Sequence, residues 1–325
     1  MFKELHCHAS YWMCWKGSVI KKKIIHGTPE HEYACFPAFS YTVELLNPGS
    51  SYFIMVNQIN GSFVYCFLAF RAYIRGYAHM RKVIIIDGTH LYEKYGGVLL
   101  SAVAQDTENH IFPIAFCVVD KENDASWTFF FQKLKSIIEH EPDLRVISDR
   151  HISIANAFSR VYSRAYHELC IRHLAKNLRA YTIDEFSEHI TELKNNSPKA
   201  AHVLENVFGF EKWSRAHFPG NRYDVMTTNI TESLNSVLTD EREYPVSYVF
   251  NSIGRKFGEK FRERHAFVAG QNNKFVPNAE RIIRDNKIAS NSLYVTNVNE
   301  GLNQFTVFGN DVTAKVNLLE KSCSC

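Results

Sequence analysis

Apolar and polar positions change rhythm several times along this chain, and each change marks an element. Trp12 to Ile25 reads as a helix ending at Gly27, and Pro29 opens a second one toward Leu46. Asn47-Pro48-Gly49-Ser50 is a turn that closes this region. The continuous apolar run Val83-Ile84-Ile85-Ile86 ends on Asp87-Gly88, and Gly97 to Ala104 and Ile111 to Val119 follow as two more strands. The short polar stretch Asp106 to His110 predicts that these two form an antiparallel hairpin. Trp127, Phe130, Phe131, Leu134, Ile137 and Ile138 then recur at spacings of three and four, the stripe of an amphipathic helix capped by Asp124 or Ser126. Leu144 to Ser148 is a short strand ending on Asp149, and Ile152 to Tyr162 is a further helix.

Hairpin-linked strands followed by alternating helix and strand imply an α/β fold, a mixed sheet flanked by helices. The order strand, strand, strand, helix, strand, helix is that of an RNase H-like core. The chain divides accordingly. Residues 1–78 form a partly helical N-terminal region and 79–173 the first part of the core. Residues 174–226 are polar and helical, broken by Asn195-Asn196-Ser197-Pro198 and by Pro219-Gly220, and read as an insertion. Helical periodicity resumes over 227–270, which completes the core, and 271–325 is a β-rich tail with runs near Leu293 to Val298 and Phe305 to Phe308.

Composition narrows the class without naming a function. The chain has 325 residues, 46% of them hydrophobic and 14% aromatic, enough for a globular core. No apolar run reaches the roughly 18 residues of a membrane span, and Met1 to Ser10 lacks the apolar stretch of a secretory signal. Eight scattered cysteines do not make a disulfide framework and read as reduced intracellular thiols. A net charge of +3 permits a nucleic-acid partner without requiring one.

Chemistry enters with the carboxylates. Asp87 and Asp149 each follow a buried strand, where a rigid sheet can hold an acid at the rim of a cleft. Two converging acids suit Mg²⁺, a hard ion that takes carboxylate, water and phosphate oxygens. A third acid on a helix would let two ions share the site. Each acid also has a structural reading: Asp87-Gly88 as a hairpin turn, Asp149 as the cap of the helix from Ile152, and Glu232 as the closing member of a capping box begun at Asn229. Glu232 lies about 200° around its helix from Leu234, away from the apolar stripe.

Taken together, the motifs resemble those of plant Mutator-like element (MULE) transposases. The resemblance rests on Val83 to Leu91 with Asp87-Gly88-Thr89-His90, on Tyr95-Gly96-Gly97, and on Asn123-Asp124-Ala125-Ser126-Trp127. It continues through Ile147-Ser148-Asp149-Arg150, Cys170-Ile171-Arg172-His173 and Thr227 to Asn235, and covers roughly residues 45 to 325. It implies an RNase H-like fold with a helical insertion between the second and third catalytic acids, which map onto Asp87, Asp149 and Glu232. It also places Cys170 and His173, a C-x-x-H motif, near the active site; two ligands are too few for structural zinc. Cys323-Ser324-Cys325 resembles the first half of a SWIM-type zinc finger, which would bind Zn²⁺ only if completed by a later C-x-H.

The expected activity is DNA transposition in the nucleus: Mg²⁺- or Mn²⁺-dependent phosphodiester cleavage and strand transfer at transposon terminal repeats and target DNA. Such an enzyme needs no membrane and has room for homo-oligomers. A domesticated, non-catalytic DNA-binding regulator and an inactive relic are the alternatives, since the chain reads as a fragmentary copy. The helix after Val246 carries Arg255, Lys256, Lys260, Arg262 and Arg264 as candidate phosphate contacts, interleaved with Glu259 and Glu263.

Overall fold

The computed structural model describes residues 10–26, 29–92, 96–138, 144–163, 165–170, 183–214, 216–217, 229–270, 274–297, 303–309, 312–320 and 322–324. The apolar run at 83 becomes strand β3 (Val83–His90), flanked by β4 (Val98–Gln105) and β5 (Ile111–Val119) as an antiparallel meander. On the other side of β3 lies β6 (Arg145–Ser148), and beyond it β7 (Tyr166–Leu169), both parallel to their neighbours. Helices cross between these parallel strands, as parallel pairing requires. The sheet is thus mixed and flanked by helices, as the order of patterns predicted.

It is also wider than predicted. Within the region read as partly helical, α1 (Tyr11–His26) and α2 (Pro29–Leu46) are followed by an antiparallel hairpin, β1 (Ser51–Val56) and β2 (Phe63–Ala69). The hairpin adds to the free edge of β5, giving a seven-stranded sheet in the order β1-β2-β5-β4-β3-β6-β7. This covers an edge that would otherwise present unpaired backbone groups.

Alternation of side chains sends successive residues to opposite faces of the sheet. One face is covered by α4 (Asp124–Ile137) and α5 (Ile152–Val161): Phe67 meets Phe130, Tyr65 meets Phe129, and Phe158 stacks on His167. Trp127, Phe130, Phe131 and Leu134 of α4 are fully buried. The cap of α4 is Asn123 rather than Asp124 or Ser126. Its side chain accepts from the amides of Ala125 and Ser126, and the Asn123 amide in turn donates to Ser126 Oγ. Asp124 instead ties α4 to α5 through Asn156 and Arg160.

The opposite face receives α3 (Arg71–Tyr77), α9 (Asn229–Val237) and α10 (Val246–Ala269). Phe112 of β5 stacks on Phe261 of α10, and Leu234, Leu238, Val249, Phe250, Ile253 and Phe257 are buried. Between the two groups of elements, α6 (Ile183–Asn196), α7 (Pro198–His202), a π-helical stretch over Val203–Phe208 and α8 (Phe210–Trp213) build a small core of their own from Phe186, Ile190, Leu204 and Trp213.

The tail combines a helix with β structure. Helix α11 (Pro277–Ser290) comes first, with proline at its first turn, where the missing amide costs nothing. A separate four-stranded antiparallel sheet follows, of β8 (Tyr294–Thr296), β9 (Gln304–Gly309), β10 (Val312–Asn317) and β11 (Ser322–Cys323). No described helix is long and apolar enough to cross a membrane.

Candidate active site

The last register pair between β3 and β6 is Ile85 with Ile147. Two residues further on stand Asp87, within β3, and Asp149, one residue past the end of β6, so strand alternation carried one step beyond β6 sets both acids at the same level and on the same face. The next strand continues the row. Ser148 pairs with Leu169, and the Cys170 amide donates to the Ser148 carbonyl at 2.8 Å, placing Cys170 beside Asp149. Asp87 in β3, and Asp149 and Cys170, each one residue past the end of β6 and β7, therefore follow one line at this edge of the sheet, on the face that receives α9.

Asp87 does not end its strand, as the apolar run implied. The ladder with β4 carries on through Gly88, Thr89 and His90, while only the pairing with β6 stops short. Asp87-Gly88 is thus strand rather than hairpin turn, and β4 holds its backbone rigidly. Asp87 Oδ1 accepts from the Gly88 amide at 3.0 Å, Oδ2 accepts from Asn235 Nδ2 at 3.2 Å, and Thr231 also hydrogen-bonds to the carboxylate. Burial, and then the charge of Asp149, push Asp87 up to about 6. The hydrogen bonds from Thr231 and Gly88 oppose this, and the charge of Glu122 adds to it.

Asp149 Oδ1 accepts from the His151 amide at 3.0 Å, the cap of α5 being His151 without a side-chain bond. Behind Asp149, on the opposite face, Ser148 Oγ donates to the Asp149 carbonyl and meets His167 Nε2, each at 2.8 Å. Burial, with a smaller contribution from Lys212, lowers His167 to about 4, so the ring is neutral at pH 7.

The third predicted acid, Glu232, belongs to α9, one position after Thr231 and three before Asn235. Its side chain lies outside the described residues, as do His173 and Cys325. Among the described residues no group of three or more His, Cys, Asp or Glu side chains is arranged to hold a metal. Cys170 is buried. Cys323 is disulfide-bonded, which corrects the reading of all eight cysteines as reduced thiols, and its sulfur is not a free thiolate for zinc.

The basic helix divides into two kinds of cation. Lys256 donates to the Val237 carbonyl at 2.7 Å and pairs with buried Glu241, while Arg264 reaches the Ile111 carbonyl at 3.3 Å. Both fasten α10 to its surroundings. Arg255 and Arg262 are exposed, Arg255 beside Glu259, and Lys260 is half-buried.

Sequence reasoning missed Thr231, Asn235 and Glu122. The first two sit four apart on the helix that carries Glu232, a spacing that sets them on one face. Glu122 directly precedes the cap of α4, accepts from the indole N–H of buried Trp127 at 3.0 Å, and lies against Gly88, where a Cβ would come within 3.3 Å of Oε2.

Residues 83–177, which span β3 to β7, match the family model of the MULE transposase domain. The chain is also similar to the transposase for insertion sequence element IS1201 of Lactobacillus helveticus, 24% identical over 161 residues that cover 42% of this chain and 43% of that protein. It is similar as well to the transposase for insertion sequence element IS905 of Lactococcus lactis subsp. lactis (strain IL1403), 22% identical over 203 residues, 51% of this chain and 49% of that protein. The chain therefore spans under half the length of these curated relatives. The resemblance to MULE transposases read from the motifs is supported over the segment that contains Asp87, Asp149 and Cys170.

Proposed function

We propose that this chain is the catalytic region of a DNA transposase with an RNase H-like core, cleaving phosphodiesters and transferring strands with the help of a divalent cation. The observation that carries the reading is the placement of Asp87 in β3 and of Asp149 just past the end of the adjacent parallel strand β6, inside the segment that matches the MULE transposase domain. The sheet order β5-β4-β3-β6-β7, three antiparallel strands and then two parallel ones, supports the RNase H-like assignment. The relatives named as transposases support the substrate class.

The donor set fits Mg²⁺ or Mn²⁺. Both acids offer oxygen, and Asp87 is disfavoured as an anion by burial and by Asp149, a repulsion that a cation would relieve. Asp87 and Asp149 would hold the ion, with Glu232 as the acid supplied by α9. A bound divalent pair supplies activation of a water or 3′-hydroxyl and stabilisation of the leaving oxygen. The chain itself contributes rigidity. Asp87 is fixed by β4 and by three hydrogen bonds, and Asp149 by the His151 amide and by Ser148 behind it. Cys170, the first residue of the C-x-x-H motif, lies in the same row. Arg255, Lys260 and Arg262 are the cations of α10 left to meet DNA phosphates.

The test is nicking of supercoiled plasmid carrying the element's ends, with Mg²⁺ or Mn²⁺. Wild-type protein should nick, and Asp87→Asn and Asp149→Asn should each reduce the rate by more than about a hundredfold. Nicking that survived both substitutions would overturn the assignment.

A further inference from the structure

Helix α9 is fastened to Asp87 by two uncharged side chains one helical turn apart. Thr231 is fully buried and hydrogen-bonds to the carboxylate, and Asn235 donates its amide to Oδ2 at 3.2 Å. The other oxygen, Oδ1, is held from within the strand by the Gly88 amide at 3.0 Å. Ser101 of β4 donates to the Asp87 carbonyl at 3.4 Å, so backbone and side chain are both constrained. Below this contact Leu234 and Leu238 are buried in the main core, which sets the roll of the helix about its axis.

We infer that Asn235 is a positioning residue for the reaction: its amide fixes the Asp87 carboxylate in the orientation that presents it, together with Asp149, to a divalent cation. This rests on the reading of Asp87 as a metal ligand given above. The residue type fits the task. A carboxylate has about four lone-pair sites, so an amide can hold Oδ2 and leave room for a cation. A neutral donor also stabilises the carboxylate without cancelling its charge. Lysine or arginine at this position would neutralise Asp87 and compete with the ion, whereas a side chain without a donor would remove the Oδ2 contact and leave the carboxylate to Thr231 and the Gly88 amide. Because position 232 lies on the same short helix, the contact that orients the first acid also fixes where the backbone of the third stands relative to it.

Outer partners of this kind change metal affinity by about ten- to a hundredfold when removed. The test is Mn²⁺ binding to the full chain, followed by the electron paramagnetic resonance signal of free Mn²⁺. The proteins compared are wild type, Asp87→Asn, Asn235→Ala and Asn235→Leu, with thermal melts in metal-free buffer beside them. Leucine keeps the shape of asparagine without its donor, so it decides the question if the alanine variant fails to fold. Binding that is lost in Asp87→Asn and weakened about tenfold in the Asn235 variants supports the inference. Variants at 235 that bind as tightly as wild type, whether or not they melt earlier, would give Asn235 a merely structural role and overturn it, leaving the assignment of Asp87 intact. Mn²⁺ binding that is indifferent to Asp87→Asn would remove both.

Discussion

The central sheet is antiparallel in part and the C-terminal sheet throughout, and both are built from short strands, yet they hold their residues in opposite ways. Strands β3, β4 and β5 are buried over most of their length and enclosed by helices on both faces. In the tail, α11 buries no residue and β8 is exposed throughout, and α11 meets the hairpin between β4 and β5 through Asn278, which bonds Glu108 and Thr107 at 2.7 Å each. The difference explains where a site of like charges can be placed. Bringing Asp149 beside a buried Asp87 disfavours the charged form of Asp87, and only a backbone fixed by many independent contacts holds the pair together. The tail has no comparable apolar burial from which to impose such a geometry.

The largest effect should come from the core beneath the site. Trp127→Ala removes a fully buried indole and the donor to Glu122, and should cost about 3–5 kcal/mol of unfolding free energy in urea melts. A loss below about 1 kcal/mol would show that the two sheets are not so different in how they are held.

A smaller effect concerns pH. His167 is depressed from its ordinary value to about 4, so the folded protein disfavours its protonation. The stability it contributes is therefore complete above about 6.5 and is lost as pH falls toward 4. Asp87, raised to about 6, acts in the opposite direction, losing its contribution as pH rises through that value. Comparing wild type with His167→Gln cancels the Asp87 term. The urea midpoint of wild type should fall more steeply between pH 7 and 4.5 than that of the variant, and parallel slopes would contradict the burial assigned to the ring.

The smallest effect belongs to the tail. Phe308 of β9 is half-buried and stacks on Tyr294 at 6.2 Å. Phe308→Ala should leave the main unfolding transition within about 0.5 kcal/mol of wild type, although the tail itself exchanges its amides faster. A shift comparable to that of Trp127→Ala would make the tail part of the core.

The central strands were legible because burial on both faces writes a continuous apolar run, as at Val83 to Ile86, and α4 because its aromatic stripe repeats at helical spacing. Strands β1 and β2 carry apolar runs as well, at Tyr52 to Val56 and Phe63 to Ala69, but such short runs do not by themselves distinguish a strand from a buried helix, and they lie in the region whose earlier part reads as helical. Helix α11 has only a short apolar stripe, Ala279, Ile282 and Ile283, and buries none of it. At the site, two acids were visible as residues following apolar strands, but the register that aligns Asp87, Asp149 and Cys170 is a property of pairing between distant segments. Asn235 likewise acquires its role only when α9 meets β3. Lys256 and Lys260 look alike in sequence, and only the fold distinguishes a cation spent on the Val237 carbonyl from one left nearer the solvent.

The central claim is that Asp87 and Asp149 form one cation site with the acid of α9. It is tested most directly by crystals of the chain soaked in Mn²⁺ and measured for anomalous scattering. The account predicts a peak coordinated by one carboxylate oxygen from Asp87 and one from Asp149, with Glu232 as a further ligand. Ordered Mn²⁺ bound only elsewhere, or no peak between the two aspartates at saturating Mn²⁺, would contradict it.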